Sequence, residues 1–282
     1  MILAILGLGL PFPFEREYMQ LALFAGLAVG LSAPLLGTFL VERRMSLLGD
    51  GIGHIAFAGV SAGLLAGVWP IWSALIAAIL GAIALELMRS SGRTGGDLAL
   101  AVVFYGGIAG GIVLAGAAGN YNATVLSYLF GSILTVDRSE VITVIVVGAV
   151  LVTVVLTFWR IMLAAVTDSD FARTLGIPVR VIDLGIAVGA ALVIVGAMRV
   201  VGLLLVAALM VLPVGAVRVL APSFRATMLG SSLLGGLSVV VGLWMARVHA
   251  LPPGGTIVLV VVFAVLLTGL LRAITTGLRR GT

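Results

Sequence analysis

Cysteine and lysine are both absent from this chain, and charge of either sign is scarce: 16 arginines and 11 carboxylates are spread over 282 residues. Without cysteine there is no disulfide, no thiolate metal ligand and no cysteine nucleophile. Without lysine there is no Schiff-base chemistry and no P-loop, whose glycine-rich turn needs a lysine on the nucleotide phosphates. The chain is therefore not expected to hydrolyse nucleotide itself. Imidazole is limited to His54 and His249. Charged residues make up 10% of the chain, against about 25% in an ordinary soluble domain. What is abundant is apolar surface: 62% of residues are hydrophobic and the mean hydropathy is +1.31. A water-soluble fold has no core large enough to hide it, so the composition dictates an all-α, polytopic transmembrane bundle forming one domain over 1–282. The net charge of +5 does not point to nucleic acid, because the arginines punctuate apolar runs instead of clustering on a solvated face.

About 20 apolar residues cross a bilayer. By that measure spans are expected at 21–41, 46–68, 71–88, 98–115, 140–159, 183–197, 202–219, 226–246 and 255–271, a bundle of eight to nine. The run 125–136 is apolar but short, and is expected to be re-entrant or interfacial. Residues 1–14 are too short to span and lack a basic start, so they are expected to form an interfacial or poorly ordered N-terminus and not a cleaved signal. If the first span runs inward, twelve arginines fall on the cytoplasmic side and four outside, which also puts the C-terminus in the cytoplasm. Glycines recur at four-residue spacing, at 26/30, 59/63/67, 107/111 and 185/189. Such pairs let helix backbones approach closely, either within the bundle or at a dimer face.

Two features carry chemistry. Asp50 and His54 stand four residues apart, on one helical face. At about 1.5 Å per residue, His54 lies about 12 Å from a helix start near Ser46. An ionised Asp at such depth costs about 2.5–3.5 kcal/mol, so it needs a partner or an aqueous path. A carboxylate with an imidazole is a ligand pair suited to zinc, manganese or iron(II). Two protein ligands suit transit better than storage. The alternative is an Asp favoured by a helix dipole beside an incidental histidine. The second feature is TDSDFARTLGIP at 167–178, expected to be a short helix over about 168–177. Asp168 or Ser169 can cap it, Asp170 suits its first turn, and Gly176 suits the position just past its end. Phe171 and Leu175 share one face, for a partner's groove or for the bilayer surface. Glu86, Asp97, Arg199 and His249 fall near span boundaries and are read as structural.

Several segments, taken in order, resemble the permease subunits of the metal-ion ABC importers, the ABC-3 family. They are Arg43-Arg44-Met45 with Gly49-Asp50 and His54, then Leu129-Phe130-Gly131 with Leu134, and Asp170-Phe171-Ala172-Arg173-Thr174-Leu175-Gly176. Ala197-Met198-Arg199-Val200-Val201-Gly202, Leu212-Pro213 and Pro252-Pro253-Gly254-Gly255 follow. The resemblance implies a type II importer-like permease that works as a homodimer, without catalysis of its own. Its implied partners are cytoplasmic ABC ATPase subunits and an extracytoplasmic metal-binding protein, in the bacterial plasma membrane. It further implies that Asp50 and His54 are the metal ligands and that Asp170, Phe171, Ala172, Leu175 and Gly176 form the ATPase-coupling helix. The implied cargo is Zn2+, or else Mn2+ or Fe2+, with no permanently bound cofactor. Two positions depart from the family pattern: Ser132 where many members carry Asp, and Ala58 where manganese-type members often carry Pro, which tilts the expectation toward zinc. A siderophore or cobalamin permease would give no reason for an Asp–His pair. An ion-coupled secondary transporter would require more embedded carboxylates than Asp50. A structural scaffold would not explain a capped helix on the largest polar loop.

Overall fold

The structure, a computed structural model, describes residues 12–90, 96–119, 123–131 and 137–280. The described residues form α-helices: α1 (Glu17–Glu42), α2 (Leu48–Ala66), α3 (Pro70–Ser90), α4 (Gly96–Ala117), α5 (Ala123–Phe130), α6 (Arg138–Thr167), α7 (Ser169–Thr174), α8 (Val179–Val201), α9 (Leu203–Arg218), α10 (Phe224–His249) and α11 (Pro253–Arg280). Eight are long and apolar enough to cross a membrane; α5, α7 and α9 are not.

The expected span at 202–219, seventh of the nine, is therefore shorter than a full crossing. At 16 residues, α9 is about 24 Å long by helical rise, below the ~30 Å of a hydrocarbon core. It packs against α1, α2, α8, α10 and α11, and Leu203, Val206, Leu209, Met210 and Val214 are all buried. A helix enclosed by protein need not match the bilayer. Hydropathy alone does not tell burial in protein from burial in lipid. The run expected at 140–159 is also longer than expected. Arg160 does not end it, because Ile161 to Val166 continue the apolar run and α6 proceeds to Thr167. In the 125–136 run, α5 ends at Phe130, and Ser132 lies outside the described residues.

The centre of the bundle is α1, packed against α6, α8, α9 and α10. A Cβ on Gly30 would stand 2.8 Å from the Gly235 carbonyl oxygen, and one on Gly37 would overlap the Met210 carbonyl. Most of the glycine pairs serve packing within the chain in this way: Gly59 and Gly63 receive α3, and Gly107 and Gly111 receive α2. Gly185 instead faces open space.

Ion pairs gather at the two ends. At one end Glu17 pairs with Arg138 and Glu140 with Arg199. Glu140 also closes a capping box with Asp137 at the start of α6. At the other end Glu42 pairs with Arg218 at 3.0 Å, Arg43 with Asp183 at 2.6 Å and Glu86 with Arg89 at 3.0 Å. Phe39 and Phe224 pack there at a centroid distance of 5.2 Å.

Candidate functional site

The start of α2 reads Leu-Gly-Asp-Gly-Ile-Gly-His, and its alternating glycines decide which way Asp50 and His54 point. Successive residues turn by about 100° around a helix. Gly49 and Gly53 fall on one side and face α9: a Cβ on Gly49 would lie 3.5 Å from the Met210 sulfur, and one on Gly53 would lie 3.0 Å from Leu203. Gly51 falls on the other side and faces α4, 3.2 Å from Leu100. Asp50 and His54 occupy the strip between these two contacts, and both are half-buried. The His54 ring stands edge-on to Phe104 at 4.8 Å, and Gly107 lets α4 approach the His54 backbone.

Depth follows from which residues are level. Gly49 is opposite Met210, and Met210 is opposite Gly37, five residues inside Glu42. With Gly49 also facing the Ala207 backbone, three residues further in, Asp50 lies roughly 9–13 Å inward of the Glu42 end and His54 about 6 Å further.

Asp50 stands apart from the other carboxylates. Of the 11 in the chain, Glu17, Glu42, Glu86, Glu140, Asp170 and Asp183 are each held by an arginine. Asp137 and Asp168 cap helices, and Glu15 and Asp97 are exposed beside helix starts. Asp50 remains, embedded, with no hydrogen-bond or ion-pair partner among the described residues, and His54 likewise has none. A pair with open donor capacity and no internal use can accept a cation from outside. Within one chain it would do so alone: no cluster of three or more His, Asp or Glu occurs among the described residues.

At the Glu42 end α7 is held as its sequence dictates. The Asp168 side chain accepts the Phe171 N–H at 2.9 Å, the N-cap interaction that satisfies a free helical donor. Asp170 pairs with Arg173 at 3.1 Å. The helix ends in a Schellman turn: the Gly176 N–H reaches the Arg173 carbonyl and the Ile177 N–H reaches that of Ala172, with Gly176 at φ +76°. Ala172 is buried against Ala165 and Val179 and anchors the helix, whereas Phe171 and Leu175, each 60% exposed, face outward.

Residues 15–272 match the ABC 3 transport family. The chain belongs to that family. It is 30% identical to ScaB, the manganese import system permease protein of Streptococcus parasanguinis, over 87% of each chain. It is 24% identical to ZnuB, the high-affinity zinc uptake system membrane protein of Haemophilus influenzae, over 89% of this chain and 97% of that one. Among solved structures it is similar to PsaBC from Streptococcus pneumoniae in complex with Fab, at 28% identity, a TM-score of 0.80 and 95% of each chain covered. It is accordingly a multi-pass membrane protein of the ABC transporter class.

Three segments of this ABC-3 chain that look unrelated in sequence meet in space. Gly131, Gly202 and Gly254 converge where α5, the α8–α9 turn and α11 cross. A Cβ on Gly131 would lie 2.6 Å from the Val201 carbonyl carbon, and one on Gly202 would lie 2.5 Å from that of Phe130; one on Gly254 would lie 3.3 Å from the Phe130 oxygen. Gly131 and Gly202 sit at φ +75° and +93°. The sequence signal was present, since Gly131 and Gly202 each follow an apolar run at a helix end and Gly254 follows two prolines at a helix start, but local periodicity does not say which ends meet. A cavity of about 470 Å³ opens at the Glu42 end between α1, α6, α9 and α10. Neither Asp50 nor His54 lines it, and its one carboxylate, Glu42, is already held by Arg218.

Proposed function

We propose that this chain is the membrane-spanning permease subunit of an ATP-driven importer of a divalent transition metal, with Asp50 and His54 as transit ligands. The observation that carries the reading is the isolation of that pair: the one embedded carboxylate without a partner among the described residues lies one helical turn from a half-buried imidazole. In a homodimer two copies would supply two carboxylates and two imidazoles, the count of a four-coordinate site. The Glu42 end is the cytoplasmic one by the arginine bias. There α7 would present Phe171 and Leu175 to a separate ATPase subunit, since the chain has no lysine for a P-loop. An extracytoplasmic protein would deliver the metal at the opposite end. Zinc is the cargo that Ala58 favours, while more of the relatives are named for manganese than for zinc.

Both ions belong in the test. Membrane vesicles carrying the complete transporter are assayed for zinc and manganese uptake per assembled complex. Asp50→Asn and His54→Ala should each lower uptake by at least the ~10-fold that losing even an outer-sphere partner of a metal ligand costs. Assembly and basal ATP hydrolysis should persist, because neither residue belongs to α7. Uptake at the parent's level in both variants would remove the pair from the transport path.

A further inference from the structure

The ion pair between Arg43 and Asp183 joins residues 140 positions apart, and each partner belongs to a rigid unit that ends at a functional element. One Arg43 nitrogen, Nη2, donates to both Asp183 oxygens, at 2.6 and 2.8 Å. The side chains are only 15% and 12% exposed.

On the Asp183 side the unit is α7 with the first turns of α8. Ala172 of α7 packs on Val179, one turn before Asp183, and on Ala165 at the end of α6. The Schellman turn at Gly176 removes slack between them. On the Arg43 side the unit is the corner between α1 and α2. Arg43 closes α1, Arg44 takes the left-handed conformation at φ +57°, and the Met45 N–H returns to the Leu40 carbonyl at 2.8 Å. The Leu48 N–H then bonds the Met45 carbonyl, and α2 begins with Asp50 in its first turn. The Gly51 N–H in turn bonds the Leu47 carbonyl, so backbone hydrogen bonds tie the turn from Arg43 to the start of α2. The Glu86–Arg89 pair of α3 lies beside this junction, close enough for Glu86 to feel both charges.

A largely buried ion pair is a poor means of gaining stability, because apolar residues of similar volume serve as well or better. What it does provide is register between the two units it joins. We propose that the Arg43–Asp183 pair is the link through which movement of α7 reaches the Asp50–His54 strip, making both residues positioning residues of the transport cycle. This rests on the reading above, in which α7 meets an ATPase and Asp50 and His54 handle the metal. Displacement of α7 carries the start of α8, Asp183 pulls Arg43, and the corner shifts α2 as a body.

The test uses the complete complex in proteoliposomes with Arg43→Gln, Asp183→Asn, and the exchange of Arg43→Asp with Asp183→Arg. Three quantities are read: zinc or manganese bound at equilibrium, basal ATP turnover, and metal transported per ATP with the binding protein present. Each single variant should bind metal and hydrolyse ATP at the parent's basal rate. Transport per ATP should fall about 10-fold, within the usual range of coupling between sites, and the exchange should recover most of it. Assembled single variants that transport at the parent's ratio would overturn the link. So would loss of assembly or of basal turnover that the exchange does not recover, which marks a role in holding the fold. Asp50→Asn and Phe171→Asp are run in parallel. If those two behave as the parent while the single variants uncouple, the underlying assignment of site and coupling helix is what has failed, and the link as stated fails with it.

Discussion

Replacing Gly202 with alanine puts the geometry of the bundle to a severe test, because two independent costs add at one atom. Gly202 has φ +93° and ψ 141°, a region open essentially to glycine, and forcing another residue there costs about 1–3 kcal/mol. The new methyl would also stand 2.5 Å from the Phe130 carbonyl carbon, 2.6 Å from its oxygen and 2.7 Å from the Gly131 nitrogen. These are backbone atoms, so relief requires shifting α5 or the α8–α9 turn, and overpacking of that kind costs about 1–3 kcal/mol more. The sum, about 2–6 kcal/mol, rivals the whole stability of many folded domains at about 5–15 kcal/mol. Gly131→Ala meets the same contact from the other side, 2.6 Å from the Val201 carbonyl carbon at φ +75°. The control is Gly185→Ala within α8, where nothing lies within 4 Å of the added methyl. There alanine should be neutral or stabilise by about 0.5–1 kcal/mol. The assay is the fraction of monodisperse protein left after heating detergent-extracted membranes across a temperature series. Gly202→Ala and Gly131→Ala should aggregate well below the parent, and Gly185→Ala at or above it. A Gly202→Ala protein as heat-resistant as Gly185→Ala would refute the crossing of α5 with the α8–α9 turn.

Other expectations follow from the same contacts. Phe171→Asp changes an exposed side chain, so the free permease should melt within about 0.5 kcal/mol of the parent. Co-purification with the ATPase should nevertheless be lost; retained co-purification would remove α7 from that interface. Arg138→Ala breaks a pair whose side chains are 67% and 63% exposed and should cost under about 1 kcal/mol, read as an unchanged melting midpoint. His54→Asp replaces a borderline nitrogen by a hard oxygen and should raise manganese over zinc transport relative to the parent; an unchanged ratio in paired uptake assays would show that His54 does not contact the ion.

What the sequence disclosed follows the range of each interaction. Spans were legible because apolar runs are local, and the spacing of Asp50 and His54 placed them on one strip for the same reason. The cap at Asp168 and the turn at Gly176 were legible because both are settled within a few residues. The sequence was silent where the deciding partner is distant. Nothing near Arg43 announces Asp183, and nothing near Gly131 announces Gly202. The extent of α6 was misjudged because a charge was taken as a boundary, whereas the Arg160 guanidinium lies 5.6 Å from the Trp159 ring and the helix continues past it. For α9 the apolar run was correct and its surroundings were not, since protein and lipid reward the same residues.

A permease has to let its ion go, and the donor set of the proposed site bears on how. One carboxylate and one imidazole per chain fall short of the three protein ligands of a catalytic zinc site. Two copies facing along the Asp50–His54 strip would supply four donors, acceptable to manganese, iron(II) and zinc alike. Affinity at such a site rises from manganese to zinc, so a manganese member of the family could not reject zinc by donor identity alone. Rejection would have to come from the geometry two copies enforce or from the protein that delivers the ion. The packing of α2 limits how that geometry can change. Gly49 and Gly53 seat it on α9 and Gly51 on α4, leaving little room for Asp50 and His54 to be repositioned one at a time. The remaining motion is of α2 as a body. A shift that separates the two strips would take the ion from four protein donors to two in a single step, and an ion held by two donors is one that water can replace.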